Sequence, residues 1–280
     1  METATIALVQ LRPKPGSADP NAEKIIEFIR SAKSENADLV VFPECSLTGY
    51  SPKDAAELAV SADSEAVRSI ERCAKDLEIA VCFGYMEALH AGNAWGRSFA
   101  ITQEIVSGAS KTVYKKTHLA GSEQRVFLEG NIFPTAQIPC RAEDGKDRSI
   151  TAGMQLCWES HIPQISSAYR KSGAQLLLFP YASGMSGEKC RENWSVHLPA
   201  RASDNGCFAA ACNLLINEKG GGMAVWDPKG KVLKQYWGTD EKMISCSIGG
   251  PLPREIFAEG SESMHCISYF DRSRNELFEK

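Results

Sequence analysis

The chain has 280 residues, is 43% hydrophobic and carries a net charge of −4. That supplies a sizeable core, and with no Pro/Gly/Ser-rich linker to divide it the chain reads as one large domain. Mixed charge without a basic cluster interleaved with aromatics argues against nucleic-acid binding; no apolar run approaches the roughly 20 residues of a membrane helix, and the N-terminus lacks a signal-peptide pattern.

Strands and helices alternate along the first half. Thr3 to Leu11 reads as a strand, and Asp19-Pro20 opens a helix with the apolar stripe Ile25, Ile26, Ile29 and Ala32. Leu39 to Phe42 is a second strand. Helical segments follow at about 55–60 and 64–77, then a strand from Ala80 to Tyr85. Arg97 to Thr102, Ile105 to Ser107 and Lys111 to Tyr114 are strands with no helix between them, which implies antiparallel pairing.

The second half repeats the style. Ser149 to Cys157 reads as a strand, Ile162 to Ser172 as a helix and Gln175 to Phe179 as a strand. A helix at about 191–205 follows, then strands Phe208 to Leu214, Met223 to Trp226, Val232 to Gln235 and Met243 to Ile248. Asp227-Pro228-Lys229-Gly230 has the composition of a type I turn joining a hairpin. Beyond Gly249 periodicity fades, and Pro251, Pro253 and many charges suggest an extended tail. Ile256, Phe257 and Phe270 on such a tail have few ways to be buried by their own chain, which points to docking on a neighbour. The pattern alone supports a mixed α/β fold with antiparallel parts.

The ten cysteines include no Cys-x-x-Cys pair, and several lie in apolar strand-like runs. They read as reduced core residues of a cytosolic protein, and no paired Cys/His spacing supports a structural zinc. Cys157 differs from the others. A strand leads into it, and Trp158-Glu159-Ser160-His161-Ile162-Pro163 opens the next helix, with Ser160 or a neighbour as cap and Pro163 in the first turn. A thiol at the carboxyl edge of a sheet, near a helix start, suits a nucleophile. It also suits plain packing, since free cysteine is commonly buried. Glu44 follows Pro43 at the end of the second strand and either caps the next segment or lines a site. Lys115-Lys116 ends another extended run and reads equally as a solvated lysine pair.

Three segments together resemble the nitrilase superfamily of carbon–nitrogen hydrolases: Val41-Phe42-Pro43-Glu44 with Leu47-Thr48-Gly49-Tyr50, then Tyr114 to Leu119, then Leu156-Cys157-Trp158-Glu159. The resemblance runs from Ile6 to about Gly230 and includes Gly173 to Pro180 and Arg201 to Asn205. Gln164 stands where many members have a glutamate. The resemblance implies a four-layer α-β-β-α sandwich associating as a dimer, with a hydrolase domain at 1–249 and the tail at 250–280 at a dimer interface. It implies Cys157 as nucleophile, Glu44 as base and Lys116 as oxyanion donor. Glu123 would position substrate and lysine, and the Trp158 backbone N–H would complete the oxyanion site. No metal or organic cofactor is implied, and the partner is a small-molecule amide.

The implied reaction is hydrolysis of a non-peptide C–N bond. Nitrile or N-carbamoyl hydrolysis remain alternatives, as does a catalytically silent binding protein on the same fold. His161 and His118 invite a Cys–His dyad, which needs hydrogen-bond geometry a sequence does not show. Trp158, Tyr50 and Tyr181 are candidates for pocket walls or for core. Gly220-Gly221-Gly222 precedes a strand rather than a helix, so it reads as a flexible loop and not a phosphate cradle.

Overall fold

The computed structural model describes residues 2–89, 97–142, 147–216 and 219–249. Its first half holds β1 (Glu2–Gln10), α1 (Ala18–Ser34), β2 (Leu39–Val41), α2 (Ala55–Leu58), α3 (Glu65–Asp76), β3 (Ala80–Ala88), β4 (Phe99–Ser107) and β5 (Ser110–Lys115). The second holds β6 (Ala136–Ala142), β7 (Asp147–Met154), α4 (Pro163–Lys171), β8 (Leu176–Tyr181), α5 (Gly187–Asn205) and β9 (Phe208–Asn213). Short strands β10 (Leu215–Ile216) and β11 (Lys219–Gly220) precede β12 (Met223–Trp226), β13 (Val232–Tyr236) and β14 (Lys242–Gly249).

Twelve strands form two six-stranded sheets, β14-β1-β2-β3-β4-β5 and β6-β7-β8-β9-β12-β13. They are joined at one corner, where Glu2 and Thr3 of β1 pair with Ala142 and Arg141 of β6. Strands followed by helices pair in parallel: β1 with β2, β2 with β3, β7 with β8, and β8 with β9. The layer order follows from alternation along the strands. Leu39 and Val41 face an inner core shared with Met154, Leu176, Leu178 and Val225 of the other sheet. Val40 and Phe42 face outward onto Ile25 and Ile29 of α1 and Val67 and Ile70 of α3. Leu177 and Phe179 of the second sheet face Tyr169 of α4 and Trp194 and Leu198 of α5. Helices, sheet, sheet and helices therefore stack as the four layers the resemblance implies.

Several sequence expectations shift. β4 is one strand rather than two, and β6 was not foreseen. α5 begins at Gly187 because Ser186 caps it, accepting from Lys189 N. α4 is not capped by Ser160: Ile162 precedes it without a side-chain cap, and Pro163 takes its first position. The Asp227–Gly230 hairpin turn forms between β12 and β13 as expected, with Gly230 N donating to Asp227 O at 2.9 Å. Gly220, Gly221 and Gly222 are not a flexible loop. All three are buried at φ 91°, 81° and 114°, and Gly222 N donates to the Gln10 side chain at 2.7 Å. Side chains there would meet backbone atoms of Leu214 and Gly238 and the Trp237 ring. The tail and its apolar residues lie outside the described residues.

Candidate active site

Glu44 leaves the end of β2 on a loop folded against Gly84 of β3. Leu47 N donates to Gly84 O at 3.0 Å and Gly49 N to Cys45 O at 2.8 Å. Cys45 adopts φ 55° inside this loop. Lys116 follows β5 directly. Its N–H donates to Ile101 O at 2.9 Å, and Gly130 N donates to its carbonyl at 2.9 Å. Glu123 opens a one-turn 3-10 helix, where its Oε2 accepts from Ala120 N at 2.6 Å.

These three side chains meet. Lys116 Nζ donates to Glu44 Oε1 at 2.9 Å and to Glu123 Oε1 at 2.8 Å. Each of the three residues is 1% exposed. Tyr50 also donates to Glu123 Oε1, at 2.8 Å. Tyr50, a pocket-wall candidate, is half-buried, and its hydroxyl tethers Glu123.

Cys157 does not end a strand. β7 stops at Met154, and Cys157 begins a one-turn 3-10 helix, Cys157–His161, with φ 48°. A left-handed conformation in a non-glycine residue costs on the order of 1–3 kcal/mol and persists only where surroundings enforce it. Here the turn is closed by reciprocal bonds: Glu159 N donates to Leu156 O at 3.0 Å, and Leu156 N donates to Glu159 Oε2 at 2.8 Å.

Burial dominates the electrostatics. Desolvation pushes the Glu44 carboxyl up to about 7 against the pull of Lys116, with Glu123 and Glu159 adding to the rise. Desolvation and the charge of Glu44 push the Cys157 thiol up to about 12, while Lys116 and a backbone hydrogen bond from Ala182 pull it down. Burial works against the Lys116 ammonium, yet Glu44, Cys157 and Glu123 together hold its pKa well above the usual lysine value. Both the lysine and the two carboxylates thus act on the Cys157 sulfur, and the β8 end supplies Ala182, which no sequence signal singled out.

Tyr181 lies within the field of Cys157 and Glu44, and the side chains of the other candidates make contacts of their own. The Trp158 side chain is 49% exposed and leans on His161, with ring centroids 5.2 Å apart. His161 stacks in turn on His197 at 4.2 Å. His197 Nε2 lies 3.0 Å from Ser160 Oγ, which accepts from the Tyr181 hydroxyl at 2.7 Å. His118 Nδ1 lies 2.9 Å from Thr117 Oγ1. The two histidines of the Cys–His alternative are therefore engaged with Trp158, His197 and Thr117. Among the described residues no group of three or more His, Cys, Asp or Glu side chains is arranged to hold a metal ion, and no helix is long and apolar enough to cross a membrane.

A buried lysine bridging two carboxylates beside a nucleophile-type cysteine, on a four-layer sandwich, agrees with sequence comparison. The chain belongs to the carbon–nitrogen hydrolase family, whose sequence pattern matches residues 5–248. It is similar to an (R)-stereoselective amidase of a Pseudomonas species, 28% identical over 84% of this chain and 81% of that one. It is 26% identical to the 2-oxoglutaramate amidase of Bacillus subtilis, over 98% of this chain and 99% of that one. The NitN amidase from Nesterenkonia sp. AN1 superposes with a TM-score of 0.75 at 25% identity, covering 98% of each chain. A mutant of that amidase, with the acetamide moiety of fluoroacetamide added covalently at its active-site cysteine, superposes with a TM-score of 0.76 at 24% identity, over 99% of this chain and 96% of that one.

Proposed function

We propose that this protein hydrolyses small amides to an acid and ammonia through a thioester on Cys157. The observation that carries the reading is the buried Lys116 ammonium held between Glu44 and Glu123, with Cys157 in the field of all three. The amidase names of the relatives described above and of the solved structure support amides over nitriles, while two other relatives, of Drosophila melanogaster and Schizosaccharomyces pombe, carry nitrilase names.

The chemistry follows from the two titrating groups. Glu44 near 7 is a base poised for neutral pH, whereas the thiol at about 12 stays protonated in the resting enzyme. Proton transfer from Cys157 to Glu44 therefore accompanies attack of sulfur on the amide carbon rather than preceding it. The carbonyl oxygen gains negative charge, and the Lys116 ammonium with the Trp158 N–H stabilises it. The tetrahedral intermediate collapses: Glu44 returns its proton to the leaving nitrogen, ammonia departs and the thioester remains. Water then loses a proton to Glu44 and attacks the thioester carbon, and the acid leaves as the thiol is reprotonated. Glu123, fixed by Tyr50 and Ala120, holds the ammonium in place throughout.

We also place the protein in the cytoplasm as a homodimer. Free thiols at Cys45, Cys73, Cys82, Cys157, Cys190, Cys212 and Cys246 fit a reducing compartment.

The test is Cys157→Ala, which should abolish ammonia release from an amide panel while leaving the far-UV CD spectrum intact. Mass spectrometry with a slow substrate should find the acyl group on Cys157 and on no other cysteine. Residual turnover in the variant, or an adduct elsewhere, would remove the mechanism. Matched amide and nitrile pairs settle the bond type: higher kcat/KM for the nitriles would reverse that assignment.

A further inference from the structure

Glu159 lies two residues beyond the nucleophile and is fully buried. The mechanism above gives it nothing to do, yet its carboxylate accepts five hydrogen bonds. Oε1 accepts from the Tyr114 hydroxyl at 2.7 Å, Thr117 N at 2.8 Å, Thr117 Oγ1 at 2.8 Å and His118 N at 3.0 Å. Oε2 accepts from Leu156 N at 2.8 Å. Tyr114 lies in β5, and the other four donors come from two loops. Thr117 and His118 directly follow Lys116, and Leu156 directly precedes Cys157. One side chain therefore grips the residue after the oxyanion donor and the residue before the nucleophile.

We propose that Glu159 is a positioning residue: its two oxygens fix the spacing between the Lys116 ammonium and the Cys157 sulfur and hold Cys157 in its left-handed conformation. The inference rests on the assignment of Lys116 and Cys157 made above. Three of the five donors are backbone N–H groups, so they demand an acceptor and cannot turn away. A carboxylate meets that demand on both oxygens, whereas an amide cannot. In Glu159→Gln the NH2 group must face either Leu156 N–H or the four donors at Oε1. The glutamine therefore opposes a donor with a donor on one of the two loops.

The expected result for Glu159→Gln is a fall in kcat of about 10²-fold with little change in KM, as misplacement of reacting groups by around 1 Å produces. Two further readouts separate positioning from mere support of the fold. Alkylation of Cys157 by iodoacetamide, per folded molecule, should slow. The acid limb of the pH–rate profile should move to lower pH, because the negative charge of Glu159 helps to hold Glu44 up. Wild-type kcat, alkylation rate and acid limb in a folded Glu159→Gln protein would overturn the proposal. Should that variant not fold, Tyr114→Phe and Thr117→Val each remove a single side-chain donor; a several-fold lower kcat at unchanged KM supports positioning, and wild-type kcat in both overturns it. If the wild-type protein hydrolyses no amide, the functional reading fails by itself, and the alkylation comparison still decides the role of Glu159.

Discussion

Glu44 and Lys116 are joined at 2.9 Å although each residue is only 1% exposed. Burying two charges is costly, and the pair is held by Glu123 as a second acceptor for the same ammonium. Lys116→Ala would strand two carboxylates in the core. Loss of a buried partner typically costs 3–5 kcal/mol, about what denaturant titration should show. The deficit should shrink at acid pH, where the stranded carboxyls protonate. Turnover should fall by about 10²-fold or more through loss of the oxyanion donor. A change confined to KM would remove that role.

The Glu44 value near 7 sets the pH dependence. In the proposed mechanism Glu44 works ionised, so kcat/KM should rise with pH through an apparent pKa of about 7. The Cys157 thiol at about 12 and the raised Lys116 add no alkaline limb below that range. Glu123→Gln removes a charge that raises Glu44, and its acid limb should lie lower. Stability runs the other way. A carboxyl raised from 4.5 to about 7 in the folded state keeps a proton that the unfolded chain has lost, so stability falls as pH climbs through that interval. Glu44→Gln should flatten both curves, measured by initial rates and by thermal melts from pH 4.5 to 8.

Gly130 passes so close to the end of β5 that an added Cβ would lie 2.1 Å from Lys115 O. Backbone cannot yield there as a side-chain tip can. Gly130→Ala should therefore displace the chain carrying Lys116. We expect a loss of about 1–3 kcal/mol from overpacking and a kcat reduced by up to about 10²-fold. Unchanged kinetics would show that the Lys116 loop tolerates displacement.

Homodimer formation is checked by light scattering at micromolar concentration. A chain ending at Gly249 should lose the assembly or melt at lower temperature if Ile256, Phe257 and Phe270 dock on a neighbour. A full-length monomer would refute the dimer.

The site was more legible than the strands around it. Glu44, Lys116 and Cys157 stand out only through the resemblance their three motifs carry together; each alone reads equally as a cap, a solvated pair or a packed thiol. β4 was split because Gln103-Glu104 interrupts its apolar run. Both are buried and bonded, Gln103 to Phe42 O at 3.3 Å and Glu104 to the Tyr85 hydroxyl at 2.6 Å, so tertiary partners override the pattern. β6 was missed because Pro139 and Arg141 obscure it, and only its pairing with β7 makes it a strand. In the sequence Glu159 is visible only as part of the cysteine motif. Its donors lie up to 45 residues away, and no local spacing reveals that link.

The two sheets divide the chemistry between them. Glu44 and Lys116 extend from the first, through β2 and β5, whereas Cys157 and Ala182 extend from the second, through β7 and β8. Nothing covalent but the backbone ties base to nucleophile; the inner apolar layer does so by packing, and Glu159 bridges the Lys116 and Cys157 loops. A slip of one sheet against the other by an ångström would silence the enzyme while each sheet kept its own ladder of strands. Heat should thus extinguish turnover before circular dichroism reports any loss of structure, and an acyl group lodged on Cys157 against Lys116 would act as a clasp that delays the slip.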